Sequence, residues 1–135
     1  MTSDEERSPR VVLADDHPSV LSAFARMLRA SGCDVVAAVS TSADAIDAVI
    51  MYKPDVLVVD LMLTGLDGLE VCRRVKRAVP ETDVVIVTAF NDTAVQTVAM
   101  QDGAAAFVPK HQAAETLVKT IHRVFADRQR HSRTE

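Results

Sequence analysis

Aromatic residues are scarce in this chain, at 4% of 135 residues with no Trp, so its core must be aliphatic. Cysteine is limited to Cys33 and Cys72, and no metal-ligand spacing links either to His17, His111, His122 or His131. Both therefore read as reduced thiols rather than parts of a disulfide framework or zinc site. A basic excess is missing too. The net charge of −4 argues against a protein built mainly to coat nucleic acid or an anionic membrane. No apolar run approaches the roughly 20 residues of a membrane span. Residues 1–10 are polar and acidic with no apolar signal segment, so the chain reads as cytoplasmic. There is no glycine-rich phosphate cradle, and nucleotide binding is not indicated.

What is present is enough for one domain with a real core. Apolar residues make up 48% of the chain. At this length roughly two thirds of the unfolded surface can be buried without staples.

The organising stretch is Val56-Leu57-Val58-Val59-Asp60: four apolar residues without alternation, ended by a carboxylate. That pattern predicts a strand buried on both faces, as in a parallel sheet. Similar runs occur at Val11-Val12-Leu13-Ala14, Val35-Val36-Ala37-Ala38-Val39, Val84-Val85-Ile86-Val87 and Ala104-Ala105-Ala106-Phe107-Val108. Helical spacing lies between them. Ser19 is the expected cap of a first helix facing inward with Val20, Leu21, Phe24, Met27 and Leu28, stopped by Gly32. The 40–42 stretch caps a second, carrying Ile46, Val49 and Ile50 and ended by Pro54. Gly68 opens or precedes a third, with Val71, Cys72, Val75, Ala78 and Val79 on one face and Arg73, Arg74, Lys76 and Arg77 on a solvated one. Asn91 or Asp92 caps a fourth, with Ala94, Val95, Val98 and Ala99. Leu117, Ile121, Val124 and Phe125 mark the fifth. Residues 1–9 read as a flexible arm, 10–127 as the folded domain, and 128–135 as a polar tail or the start of a linker.

Five alternations of strand and helix are the signature of an α/β domain with a doubly wound parallel sheet. Right-handed crossovers favour the order 2-1-3-4-5 for five strands, with a switch point between the first and third. Ligands in such sheets sit outside the carboxyl ends of the strands. Asp15 and Asp16 follow the first strand, Asp60 ends the third, Thr88 and Ala89 end the fourth, and Lys110 follows the fifth. Asp15, Asp16 and Asp60 should converge. Three carboxylates in one place repel, and a hard divalent cation such as Mg²⁺ would relieve them. Lys110 suits phosphate, Thr88 adds a hydroxyl donor, and Ala89 keeps the approach open. Any one of these residues alone is more simply a cap or turn residue. The ordered set is far more specific.

The motifs Val-Leu-Ala-Asp15-Asp16-His-Pro, Val-Val-Asp60-Leu-Met-Leu-Thr-Gly-Leu-Asp67-Gly68, Val-Thr88-Ala89 and Gly103-Ala-Ala-Ala-Phe107-Val-Pro-Lys110 together resemble the receiver domain of bacterial two-component response regulators. The resemblance spans about residues 10–127. It is strongest to regulators that carry a C-terminal helix-turn-helix output domain, and it implies a flavodoxin-like (βα)₅ fold. It further implies that Asp60 accepts a phosphoryl group. Asp15, Asp16, Asp60 and the Met62 carbonyl would hold Mg²⁺, Thr88 and Lys110 would hold phosphoryl oxygens, and Thr88, Ala89 and Phe107 would form a switch. The implied partners are a sensor histidine kinase and a DNA-binding output domain absent from this chain. The last helix would also suit a homodimer, and this domain itself would contact neither nucleic acid nor membrane. It would be a signalling phosphoacceptor, catalysing only its own phosphorylation and dephosphorylation.

Some positions depart from the family pattern. Leu63-Thr64 stands where Met-Pro is common, which leaves the loop after Asp60 expectedly freer. Phe107 replaces a frequent Tyr, and His111 a frequent Pro, so no cis X-Pro bond is expected after Lys110. Pro109 is tolerable if the fifth strand is an edge. Two other readings stay open: a receiver-like scaffold that is not phosphorylated, and an aspartate-nucleophile phosphohydrolase. The second has Met62 where such enzymes usually place another Asp, and it lacks a cap domain.

Overall fold

The computed structural model describes residues 7–89 and 92–134, with side chains described to residue 131. Its five strands are β1 (Arg10–Ala14), β2 (Asp34–Val39), β3 (Val56–Asp60), β4 (Asp83–Thr88) and β5 (Ala106–Pro109). They alternate with α1 (Pro18–Ala30), α2 (Ser42–Tyr52), α3 (Gly68–Ala78), α4 (Thr93–Gln101) and α5 (Ala113–Thr134). The sheet is parallel throughout in the order β2-β1-β3-β4-β5, as expected.

The uninterrupted apolar runs explain the centre. Residues of β1, β3 and β4 from Val11, Val56 and Val84 onward are buried on both faces, because helices cover both sides. One core joins Val12, Leu57, Val59 and Ile86 to Ala45, Val49, Val71, Cys72 and Val75 of α2 and α3. The other joins Val11, Val58, Val85 and Val87 to Leu28 of α1 and Leu117 and Ile121 of α5. Both cysteines are buried and free, and neither thiol is primed for ionisation. Burial pushes the Cys33 thiol up, and that of Cys72 up to about 11.

Several boundaries move. Residues 7–9 are not a loose arm. Arg7 makes a two-pronged contact with Asp55 at 2.9 and 3.0 Å and lies 5.0 Å from the Phe125 ring centre, and Pro9 is buried. Ser19 is not the cap of α1. His17 holds that position without a side-chain bond, and Pro18 fills the first turn, where its missing N–H costs nothing. Thr41, Asp67 and Asp92 do cap α2, α3 and α4, accepting from Asp44, Glu70 and Ala94 backbone N–H groups. Asn91 lies outside the described residues.

Ile50 and Val98 face solvent at 50% and 41% exposure, and Ala78 and Ala94 are exposed as well. β5 begins at Ala106, since Ala105 donates to Val84 before the strand starts, and it runs through Pro109 at the sheet edge. α5 continues past Asp127 to Thr134, so residues 128–134 extend the helix instead of leaving it as a tail. Arg128 Nη2 and Nε anchor that extension to Asp83 at 2.6 and 3.2 Å. No helix among the described residues is long and apolar enough to cross a membrane.

Candidate functional site

The strand order builds the site. β1 and β3 are neighbours, with Ala14 beside Val59, so Asp15 and Asp60 leave the sheet side by side. Asp15 and Asp60 are only 2% and 3% exposed, while Asp16 is half-buried. Lys110 arrives from a 3₁₀ turn (Lys110–Gln112) just past β5. Its Nζ lies 2.9 Å from Asp60 Oδ2 and 3.0 Å from Asp15 Oδ2. Asp60 Oδ1 accepts the Met62 backbone N–H at 3.1 Å.

Burial raises the Asp60 pKa above the usual carboxylate value, and the nearby Asp15 charge adds to this. Hydrogen bonds from Lys110 and Met62 only partly oppose it. Lys110 is pushed the other way. Burial disfavours its charge, but the two carboxylates more than offset that, and its pKa is raised.

His17 was not singled out by its sequence spacing, yet it belongs to the cluster. Its Nδ1 lies 3.0 Å from Asp15 Oδ1, 3.2 Å from Asp16 Oδ1 and 3.9 Å from Asp60 Oδ2. Only the first contact has hydrogen-bond geometry. Potential ligand atoms of Asp15, Asp16, His17 and Asp60 all lie within 4.8 Å of one another. Asp16 Oδ1 is buried and accepts no hydrogen bond among the described residues. A buried anionic oxygen without a donor is costly. Together with a mostly oxygen donor set, it fits a hard divalent cation. The adjacency Asp15-Asp16-His17 was the available sequence signal for the imidazole.

The remaining expected residues surround this centre. Thr88 ends β4 fully buried, and Ala89 follows it, exposed. Met62 is 56% exposed beside Asp60. Phe107 lies apart on β5, paired with Ile86 and half-buried against the first core, on a groove of about 340 Å³ also lined by Gln96, Met100 and Thr116.

The loop after Asp60, which lacks a proline, is tied to the start of α2 by backbone and side-chain hydrogen bonds. The Thr64 carbonyl accepts the Ser42 N–H at 3.0 Å, and Thr64 pairs with Thr41 in an isolated bridge. Ser42 Oγ in turn accepts the Leu66 N–H at 2.8 Å. Gly65 adopts φ +99°, and a side chain there would collide with Ser42. Leu61 and Leu63 are buried, so the loop is held from below as well.

A doubly wound α/β domain with a carboxylate cluster, an engaged lysine and a buried threonine at the carboxyl ends of its strands is thus defined. The chain belongs to the response regulator receiver domain family, whose model matches residues 11–122. It is 35% identical over 118 residues to the response regulator GacA of Pseudomonas aeruginosa, covering 87% of this chain and 55% of that protein. It thus spans about half the length of the curated relatives it matches. Among solved structures, the signal receiver domain of NarL from Mycobacterium tuberculosis has a TM-score of 0.85 and 30% identity, covering 89% of this chain and 98% of that one. A DNA-binding response regulator of the LuxR family from Staphylococcus aureus has a TM-score of 0.82 and 26% identity, covering 87% and 98%. Membership of this family displaces the phosphohydrolase reading, and no second carboxylate stands two residues after Asp60.

Proposed function

We propose that this receiver domain is a phosphoacceptor. In the cytoplasm, Asp60 takes a phosphoryl group from a phosphohistidine of a sensor histidine kinase, and the change at its surface controls a transcriptional output carried by a longer protein. The observation that carries this reading is the Asp60 carboxylate, buried at the carboxyl end of β3 with Lys110 Nζ 2.9 Å away and Asp15 and Asp16 beside it. The names of the relatives support the output: NarL of M. tuberculosis is named a probable transcriptional regulatory protein, and the S. aureus structure is titled a DNA-binding response regulator.

An Asp60 oxygen attacks phosphorus in line as the P–N bond breaks. The electron pair stays on the imidazole nitrogen, and an acyl phosphate forms. Asp15, Asp16, Asp60 and the Met62 carbonyl would hold Mg²⁺, which supplies neutralisation of phosphoryl charge. Lys110 exchanges its carboxylate contacts for phosphoryl oxygens, and the Thr88 hydroxyl donates to the same group. Phosphorylation adds roughly −1.5 to −2 charge at Asp60. Moving a two-state surface from 1:99 to 99:1 requires about 5.5 kcal/mol. Two or three charge-assisted hydrogen bonds of ~1.5–3 kcal/mol each supply that. Thr88 moving toward the phosphoryl group vacates space into which Phe107 turns from its groove. This reshapes the face formed by α4, β5 and α5.

The test is intact mass after incubation with acetyl phosphate and Mg²⁺, for the parent and for Asp60→Asn. Gain of one phosphoryl group by the parent alone is expected. No gain by a folded parent would leave the receiver-like scaffold as the better reading.

A further inference from the structure

The geometry points to Thr64 as a positioning residue for the cation site: its hydroxyl holds the Asp16 carboxylate so that the free oxygen faces the cluster. This inference rests on the reading of the cluster as a divalent-cation site. Thr64 Oγ1 donates to Asp16 Oδ2 at 2.9 Å. The other oxygen, Oδ1, is buried and takes no hydrogen bond, although it lies 3.2 Å from His17 Nδ1. The two oxygens of a carboxylate are fixed about one carbon. Tying one to a donor therefore selects the direction of the other. Groups that orient metal ligands in this way characteristically change metal affinity when removed.

The tie is useful only if Thr64 is itself held. Its backbone is fastened to the start of α2 through Ser42 N–H at 3.0 Å, and Ser42 Oγ fastens Leu66 on the far side of Gly65 at 2.8 Å. Ser42 is only 4% exposed, so this fastening is part of the core packing rather than a surface contact. A run of interactions thus leads from α2 through the loop after β3 to the carboxylate after β1. A proline at position 64 would stiffen the loop but offer Asp16 no donor.

The experiment is Mn²⁺ binding followed by the electron paramagnetic resonance of the free ion, with Mg²⁺ measured by competition. It compares the parent, Thr64→Val and Thr64→Ser, alongside thermal unfolding without metal. Valine keeps the shape and removes the donor, while serine restores the donor. We expect Thr64→Val to bind on the order of 10-fold more weakly, at the low end for such orienting groups because Thr64 is exposed. Thr64→Ser should bind like the parent, and the unfolding temperatures should stay close together. Equal affinity of Thr64→Val and parent would overturn the inference. So would a serine variant as weak as the valine one, since shape and not the hydroxyl would then matter. A parent that binds neither cation would overturn the cation-site reading itself.

Discussion

Replacing Lys110 by methionine tests whether the carboxylate cluster is held together by that lysine when no metal is bound. The change keeps the apolar stem and removes one charge and two contacts, at 2.9 Å to Asp60 and 3.0 Å to Asp15. Hydrogen bonds to charged groups contribute ~1.5–3 kcal/mol each, so full loss would approach roughly 3–6 kcal/mol. Two effects reduce this. The lysine side chain is 18% exposed and retains water, and an orphaned carboxylate can take up a proton instead of staying charged. A loss of about 2 kcal/mol near neutral pH is expected, or a fall of roughly 6–8 °C in Tm for a chain of this size.

The pH dependence is the sharper part of the test. Burial already raises the Asp60 pKa, and the Lys110 hydrogen bond is the largest influence holding it down. Without the lysine it rises further. A carboxyl whose folded pKa lies above its unfolded one favours the native state when protonated. That contribution is complete below the unfolded value and is lost as pH rises through the folded value. The deficit of Lys110→Met relative to the parent should therefore shrink on going from neutral pH toward about pH 4. Excess Mg²⁺ should also narrow it, because carboxylates released from Lys110 bind the cation more tightly than those of the parent, and each tenfold tighter Kd in the variant closes the gap by about 1.4 kcal/mol at saturating cation. Thermal unfolding by circular dichroism, metal-free at both pH values and then with Mg²⁺, measures all three effects. An unchanged Tm, or a deficit that does not shrink in acid, would refute the reasoning.

Gly68→Ala would place a Cβ 2.9 Å from the Asp60 carbonyl oxygen and from Leu61 Cα, so we expect a loss of ~1–3 kcal/mol in chemical denaturation and slower phosphorylation as Asp60 is displaced. Arg128→Ala removes the paired contact with Asp83, and its half-exposed guanidinium sets the expected loss at about 1 kcal/mol; an unchanged denaturation midpoint would mean that the end of α5 is not anchored by this pair. Cys72, with its thiol raised to about 11 by burial, should resist alkylation at mildly alkaline pH until the protein unfolds, and the stability linked to that thiol should disappear only as pH climbs through about 11.

The central strands were legible because burial on both faces leaves an unmistakable composition. β1, β3 and β4 are apolar runs ended by Asp15, Asp60 and Thr88, and their shortness and β-branched content favour strands over a buried helix. The edges lacked this signal. Ala104 and Ala105 resemble Ala106, so the start of β5 depends on backbone pairing to β4 rather than on side chains. The end of α5 was obscured for a related reason. Beyond Asp127 the helix has no apolar stripe, and Arg128 is held by Asp83, 45 residues away. Arg7 carries no local signal either, since its partner Asp55 lies 48 residues on. A polar residue reads as solvated until its distant partner is known.

The site followed the same division. Asp15, Asp16, Asp60 and Lys110 sit at or just past strand ends, so strand order alone brings them together. His17 and Thr64 join by side-chain reach, which has no periodicity to announce it. The loop after Asp60 shows what this costs a reading from composition. Proline stiffens a chain mainly by restricting its unfolded state, and it needs no partner to do so. Thr64 imposes order only through groups elsewhere: Ser42 for its backbone, Asp16 for its hydroxyl. With threonine in place of proline the restraint lies in the start of α2, and Ser42, remote in sequence from the carboxylates of the cluster, becomes part of what positions Asp16.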